Sequence, residues 1–262
     1  MKNYSRSGKF FALLMLTICI SSLTFAAKRE FYEIKIYHLK NADQEARVEK
    51  YLKDAYLPAL HRAGIKNVGV FKPVTSDTTS GKRIYVLTPM KSLDKLAELP
   101  GKLNKDTEYL ASGKDYIDAE YKNPPYARIQ STILQAFENS PVMQKPNLTS
   151  PKSERIYELR SYEGHTEKIY RNKVKQFNAG NEIGIFARLG FNAVFYGEVI
   201  SGATMPNLMY MTTFSDKASR DAHWKAFGSD EEWGKVRTMP EYQNNVAKNV
   251  QLFLFPTEYS DI

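Results

Sequence analysis

Cysteine is almost missing from this chain: Cys19 is the only one, and it sits inside the apolar N-terminal run. The rest of the sequence therefore forms no disulfide, carries no thiolate nucleophile and offers no cysteine to a metal. Histidine is scarce as well. His38, His61, His165 and His223 show no spacing that would put two imidazoles and a carboxylate on one helix face, so no metal site is expected. A Gly-x-Ser-x-Gly turn, a phosphate loop and a dinucleotide-binding glycine run are all absent, which removes the hydrolase, nucleotide and nicotinamide chemistries they serve. Gly180 and Gly184 stand within a helical pattern and not behind a strand, where a phosphate cradle would have to be. The Gly-aromatic-Gly-aromatic strand signature of RNA-recognition domains is also missing, so nucleic acid is not an expected partner.

One long apolar run exists, Phe10 to Leu23, and its 14 residues fall short of the ~20 that span a bilayer. Lys2, Arg6 and Lys9 precede it, and Thr24-Phe25-Ala26 puts small residues where a signal peptidase reads. Residues 1–26 are expected to be a signal peptide cleaved after Ala26. The mature chain would then be exported, periplasmic or extracellular, with no stable membrane insertion. Loss of those three cations lowers the formal charge from +8 to +5. The remaining lysines alternate with acids, as in Asp94-Lys95, which is the pattern of a solvated surface.

What the chain does have is a repeat. Arg29-Glu30-Phe31-Tyr32-Glu33-Ile34-Lys35-Ile36-Tyr37 returns about 125 residues later as Glu154-Arg155-Ile156-Tyr157-Glu158-Leu159-Arg160-Ser161-Tyr162. Gly64 matches Gly190, Tyr85 matches Tyr210, and Asp106-Thr107-Glu108-Tyr109 matches Asp230-Glu231-Glu232-Trp233. A constant offset over separated landmarks means one duplicated structural unit.

Each unit reads as strand, helix, strand, strand, helix, strand. In the first, Phe31 to His38 alternates as a half-buried strand, and Asn41 three residues before Gln44 opens a helix. Pro58 should kink that helix, and Gly64 suits its C-terminal cap. Pro100 should disturb the second helix, which Ser92 caps. In the second unit Thr166 opens one helix, running to Gly190, and Ser215 caps the next. Residues 138–153 hold Pro141, Pro146 and Pro151 without an apolar period and read as a linker. The expected architecture is α+β: two tandem ferredoxin-like (βαββαβ) units, residues 27–137 and 154–262, packed sheet to sheet as a dimeric α/β-barrel pseudo-dimer. Such a chain can be a monomer or pair again as a homodimer.

The second unit resembles a known family. Tyr157-Glu158-Leu159-Arg160-Ser161-Tyr162, Met205-Pro206-Asn207-Leu208-Met209-Tyr210-Met211 and Trp224-Lys225-Ala226-Phe227-Gly228-Ser229-Asp230-Glu231-Glu232-Trp233 are similar to the NIPSNAP family of the dimeric α/β-barrel superfamily. The likeness is weaker over the first unit, where Tyr109 stands for the tryptophan. It resembles exported bacterial members with two such units. The family implies a fold but no settled activity.

Glu158 and Arg160, two apart on one strand, share a face and can pair with each other or with Glu33 and Lys35. With Tyr196 and Tyr210 they are the expected binding residues. His38 and His165, at or just past the ends of the first strands, are the catalytic candidates together with Tyr37 and Tyr162. No cofactor is required by any motif; haem on one of these histidines is the cofactor that oxygenases of the same superfamily suggest. The functional reading is a binding module of the cell envelope, for a small hydrophobic ligand or a protein partner. The alternative is a cofactor-independent or haem-dependent oxygenase with an aromatic-lined pocket between sheet and helices.

Overall fold

The alternating residues of Phe31–His38 face opposite ways, and both faces are covered in the computed structural model, which describes residues 28–262. The expected leader lies outside the described residues. Among the described residues no helix is long and apolar enough to cross a membrane.

The first half runs β1 (Phe31–His38), α1 (Ala42–Tyr51), a π-helical turn (Leu52–Tyr56), α2 (Leu57–Arg62), β2 (Gly69–Pro73), β3 (Arg83–Met90), α3 (Leu93–Leu103), α4 (Thr107–Ser112), α5 (Lys114–Ile117) and β4 (Arg128–Ala136). The second runs β5 (Ile156–Glu163), α6 (Glu167–Asn178), α7 (Glu182–Arg188), β6 (Asn192–Ser201), β7 (Asn207–Phe214), α8 (Lys217–Gly228), α9 (Glu231–Arg237) and β8 (Lys248–Pro256). The strands close into one antiparallel barrel in the order β1-β3-β2-β8-β5-β7-β6-β4. Each half thus contributes four consecutive strands, and two seams, β2 with β8 and β4 with β6, join the halves edge to edge. Closure leaves no strand edge unpaired.

Inside the barrel the two sheets meet through Tyr32, Ile34, Phe71, Tyr85, Tyr157 and Phe195 among others. Tyr32 stacks at a tilt on Phe195 with centroids 5.2 Å apart, and Phe71 on Tyr157 at 4.8 Å. Burying each such ring is worth about 2–3 kcal/mol relative to exposure. The outer faces of the sheet carry two further cores, one under α1 to α5 and one under α6 to α9.

The repeat extends to individual contacts. Asp106 caps α4 by accepting from the Tyr109 N–H at 2.9 Å, and Asp230 caps α9 by accepting from the Trp233 N–H at 2.9 Å. Each aspartate is also gripped through two bonds by an arginine at the end of an earlier helix, Arg62 of α2 and Arg188 of α7 respectively. Gly64 and Gly190 end those helices at φ +82° and +77°, a conformation that other residues adopt only with strain. Strand register corrects one landmark. Tyr37 stands opposite Ile84 and Tyr162 opposite Leu208, so Tyr210 corresponds to Val86 and Tyr85 to Met209. Tyr85 consequently points into the barrel while Tyr210 points to the helices.

Local expectations mostly hold, with physical reasons where they fail. Gln44 donates its N–H to Asn41 Oδ1 at 3.0 Å, and its side chain accepts from the Lys40 N–H rather than from Asn41 itself. The helix continues through Pro58 because the widened π-turn just before it absorbs the missing donor. Likewise α3 carries Pro100 in its interior without a break. Asp216, not Ser215, caps α8, accepting from the Ser219 N–H at 2.7 Å. Asn181, left-handed at φ 61°, divides the expected long helix before Gly190 into α6 and α7. The proline-rich segment after β4 is tied down: the Glu30 carboxylate accepts from the Met143 N–H at 2.8 Å, and Gln144 donates its N–H to the Val194 carbonyl at 2.8 Å.

Candidate functional site

In β5 the side chains of Glu158, Arg160 and Tyr162 all point away from the barrel interior, toward α6 to α9. Glu158 does not reach Glu33 or Lys35, which face the other helix layer. Its carboxylate is fully buried and receives donors from four side chains. Arg160 Nε reaches Oε1 at 2.6 Å, Arg220 Nε reaches Oε2 at 2.7 Å, the Trp224 indole N–H reaches Oε2 at 2.8 Å, and Gln251 Nε2 also donates to Oε1. The Arg160 guanidinium lies over the Trp224 ring, 3.9 Å from its centroid. Burial disfavours the Glu158 carboxylate, but the Arg220 hydrogen bonds and the charges of Arg160 and Arg220 outweigh it and hold its pKa below the ordinary range. Arg160 continues the chain to the Tyr162 hydroxyl at 3.2 Å, which lies 2.9 Å from the Tyr210 hydroxyl. Beside them Lys173 pairs with Glu182 at 2.8 Å. Each of these charged groups has a partner, and the arrangement ties strand and helix together in register.

The first half repeats the frame with different contents. Glu33 accepts from the Ser131 hydroxyl at 2.7 Å, as Glu158 accepts from Gln251, and Lys35 Nζ stands 3.6 Å from Glu33. The helix that covers them, however, lacks two side chains. Counting from the N-caps Ser92 and Asp216, Arg220 corresponds to Leu96 and Trp224 to Pro100. Where the guanidinium and indole would lie there is a cavity of about 260 Å³, lined by Glu33, Lys35, Leu96, Pro100 and a group of tyrosines. Those are Tyr37, Tyr51, Tyr56, Tyr109 and Tyr116. Tyr51 and Tyr116 stack in parallel with centroids 3.6 Å apart, and the Tyr51 and Tyr109 hydroxyls are 2.9 Å apart. Lys35 Nζ donates to the Tyr56 hydroxyl at 3.3 Å. Burial raises the pKa of Tyr37, Tyr51, Tyr56 and Tyr116, so the phenols are neutral donors. For Lys35 burial opposes the charge, but Tyr56 and Glu33 overcome it and the pKa is raised. Chemically the cavity offers one cation, one carboxylate and several phenolic hydroxyls around a slot with apolar walls.

The nominated residues therefore separate. Glu158, Arg160, Tyr162 and Tyr210 come together in the closed network. Tyr196 packs in the same core, stacked on Tyr210 with centroids 5.6 Å apart. Tyr37 lines the open cavity. His38 faces the barrel interior at its mouth, and His165 is exposed in the turn before α6, so neither reaches the tyrosines. His61 and His223 are engaged elsewhere, with Asp261 and the Ser219 carbonyl. No cluster of three metal-binding side chains occurs among the described residues. A larger depression of about 600 Å³ lies beside Gly64 and Met90, but its rim lysines are exposed and two of them, Lys95 and Lys102, already meet Glu98.

The NIPSNAP family model matches residues 157–261. The match falls within the second half of the chain, which is NIPSNAP-like. The filled network of Glu158, Arg160, Arg220 and Trp224 is thus inside the NIPSNAP match, and the tyrosine cavity is outside it. No curated protein matches the chain. Solved structures similar over nearly the whole chain include a protein from Lactobacillus acidophilus NCFM provisionally described as a monooxygenase, with TM-score 0.58 and 9% identity over 87% of this chain and 94% of that one. A Fusobacterium nucleatum protein with the same provisional description gives TM-score 0.56 and 10% identity, covering 88% of this chain and 93% of that one. An anthrone oxidase-like protein gives TM-score 0.52 and 10% identity, covering 88% and 93%. These likenesses establish the barrel fold.

Proposed function

We propose that this protein binds a small, flat, hydrophobic molecule bearing a hydroxyl or carbonyl group in the tyrosine-lined cavity of its first half. The second half serves as the stabilising copy. One observation carries the reading: at the same place in the two halves, Trp224 and Arg220 fill the space in one, and Leu96 and Pro100 leave it open in the other. Aromatic walls suit a flat ligand, and neutral phenols with Lys35 suit its oxygen. We also take the two halves to be tandem ferredoxin-like units spanning 27–137 and 154–262 around a linker at 138–153, with residues 1–26 directing export. The supports are the strand orders β4-β1-β3-β2 and β8-β5-β7-β6 and the sequence of the leader.

The alternative is an oxygenase acting in the same cavity, which the barrel's likeness to monooxygenase-like proteins supports only as a matter of fold. The carboxylate on its wall would be Glu33. Histidine-ligated haem does not suit this cavity, because neither His38 nor His165 reaches it. The test is native mass spectrometry of gently purified protein, followed by calorimetric titration with 1-naphthol. Binding by the natural chain and its loss in a Leu96→Arg/Pro100→Trp variant, which installs the side chains of the other half, is the expected result. Equal 1-naphthol affinity in that variant would overturn the reading.

A further inference from the structure

The barrel has a second opening on its own axis. Its mouth is a pocket of about 210 Å³ with a floor of Ile34, Ile36, Leu159, Met209 and Leu252 and a polar rim. Because β1 and β5 both end there, corresponding positions of the two halves face one another, and they differ. The second half brings Glu163, Asn207 and Ser161, which are already engaged: Glu163 with Lys248 at 3.4 Å, and Asn207 with the Ser161 hydroxyl at 2.8 Å and Thr204 at 3.1 Å. The first half brings His38, Arg83 and Gln130 from three adjacent strands.

His38 and Arg83 are direct partners across the β1–β3 ladder, and both project into the mouth. Directly opposed side chains on one face start only about 5 Å apart, so one anionic group can meet both. Arg83 is half-buried and forms no ion pair among the described residues; its one side-chain hydrogen bond is a long 3.5 Å approach to the Tyr85 hydroxyl. Asp77, in the loop after β2, feels the charge of Arg83, but its Oδ1 already accepts the Thr79 N–H at 2.7 Å and the Thr79 hydroxyl at 2.6 Å. A half-buried guanidinium that forms no ion pair among the described residues, beside a histidine and an amide and above an aliphatic floor, suits an anion with an apolar tail.

We infer that the barrel mouth binds a short-chain aliphatic monocarboxylate, its carboxylate on Arg83 and His38 and its chain against Ile34, Ile36 and Leu252. The pocket volume suits a chain of about four to eight carbons. A guanidinium binds a carboxylate through two parallel bonds, which a glutamine cannot reproduce.

The experiment is calorimetric titration of the mature chain with hexanoate at millimolar concentration, with hexan-1-ol as the uncharged control. Hexanoate should bind and hexan-1-ol should not, and Arg83→Gln should weaken hexanoate by about ten- to a hundredfold. Methyl resonances of Ile34 and Ile36 should shift on titration of the natural chain, a readout that does not depend on the variant folding. Absence of hexanoate binding, equal binding of the alcohol, undiminished affinity in a folded Arg83→Gln, or shifts confined to methyls outside the mouth would each overturn the assignment.

Discussion

Replacing Glu158 by Gln exchanges one oxygen for an amide nitrogen at nearly constant size, so it isolates the charge at the centre of the second half's network. The carboxylate has 0% side-chain exposure, and its two arginine partners have only 11% and 14%. Removing one member of a buried ion pair costs about 3–5 kcal/mol, because the remaining charge stays desolvated without compensation. Here two guanidiniums lose their counter-charge, but Arg220 retains Asp221 at 2.9 Å and some access to water. The lower end, about 3 kcal/mol, is therefore expected. For a chain of this size that corresponds to roughly 6–12 °C in Tm, at about 2–4 °C per kcal/mol. Urea denaturation read by near-ultraviolet circular dichroism measures it, and the slope with denaturant should stay constant. The charge also sets the pH dependence. A carboxyl held below its ordinary pKa contributes stability that is complete above the ordinary range and is lost as pH falls through the depressed value, so Glu158→Gln should lose that part of the acid limb. A loss below about 1 kcal/mol, or full additivity with Arg220→Gln in a double-mutant cycle, would refute the claim that this network holds the half together.

Three further outcomes are expected. Trp224→Ala should open in the second half a cavity like the natural one in the first, costing about 3–5 kcal/mol in urea denaturation. Gly64→Ala should cost about 1 kcal/mol through backbone strain alone, since a methyl there meets no atom within 4 Å. Asp230, whose pKa the Arg188 bonds and the Trp233 N–H lower to about 2, supports stability above pH 3.8 that fades toward pH 2; Asp230→Asn should flatten that part of the acid unfolding curve.

The barrel was legible because it rests on periodicity and repetition, which sequence displays directly. The Phe31–Tyr37 and Ile156–Tyr162 echoes, Gly64 with Gly190 and Asp106 with Asp230 all mark equivalent places. The landmark Tyr85 with Tyr210 misled by one residue, and in a strand one residue reverses the face. Glu158 and Arg160 were recognisable as a pair, since spacing of two on a strand puts them together. Their other partners were not, because Arg220, Trp224 and Gln251 come from elements 60 or more residues away. The open cavity did leave a trace: Leu96 and Pro100 stand 124 residues before Arg220 and Trp224, and a comparison of the two second helices would have exposed it. His38 and His165 looked alike as strand-end histidines, yet His38 is the last residue of β1 while His165 lies two residues past the end of β5, in the turn before α6.

The two seams that join the halves have a consequence for how such a molecule can change. In a barrel made of two separate identical chains, every substitution arrives twice: hollowing one core hollows both, and a histidine on the axis must face its own copy. With both halves on one chain that symmetry is no longer enforced. One copy can keep its tryptophan and its saturated carboxylate while the other gives up packing for open space. On the shared axis, a basic rim can then face an acidic one.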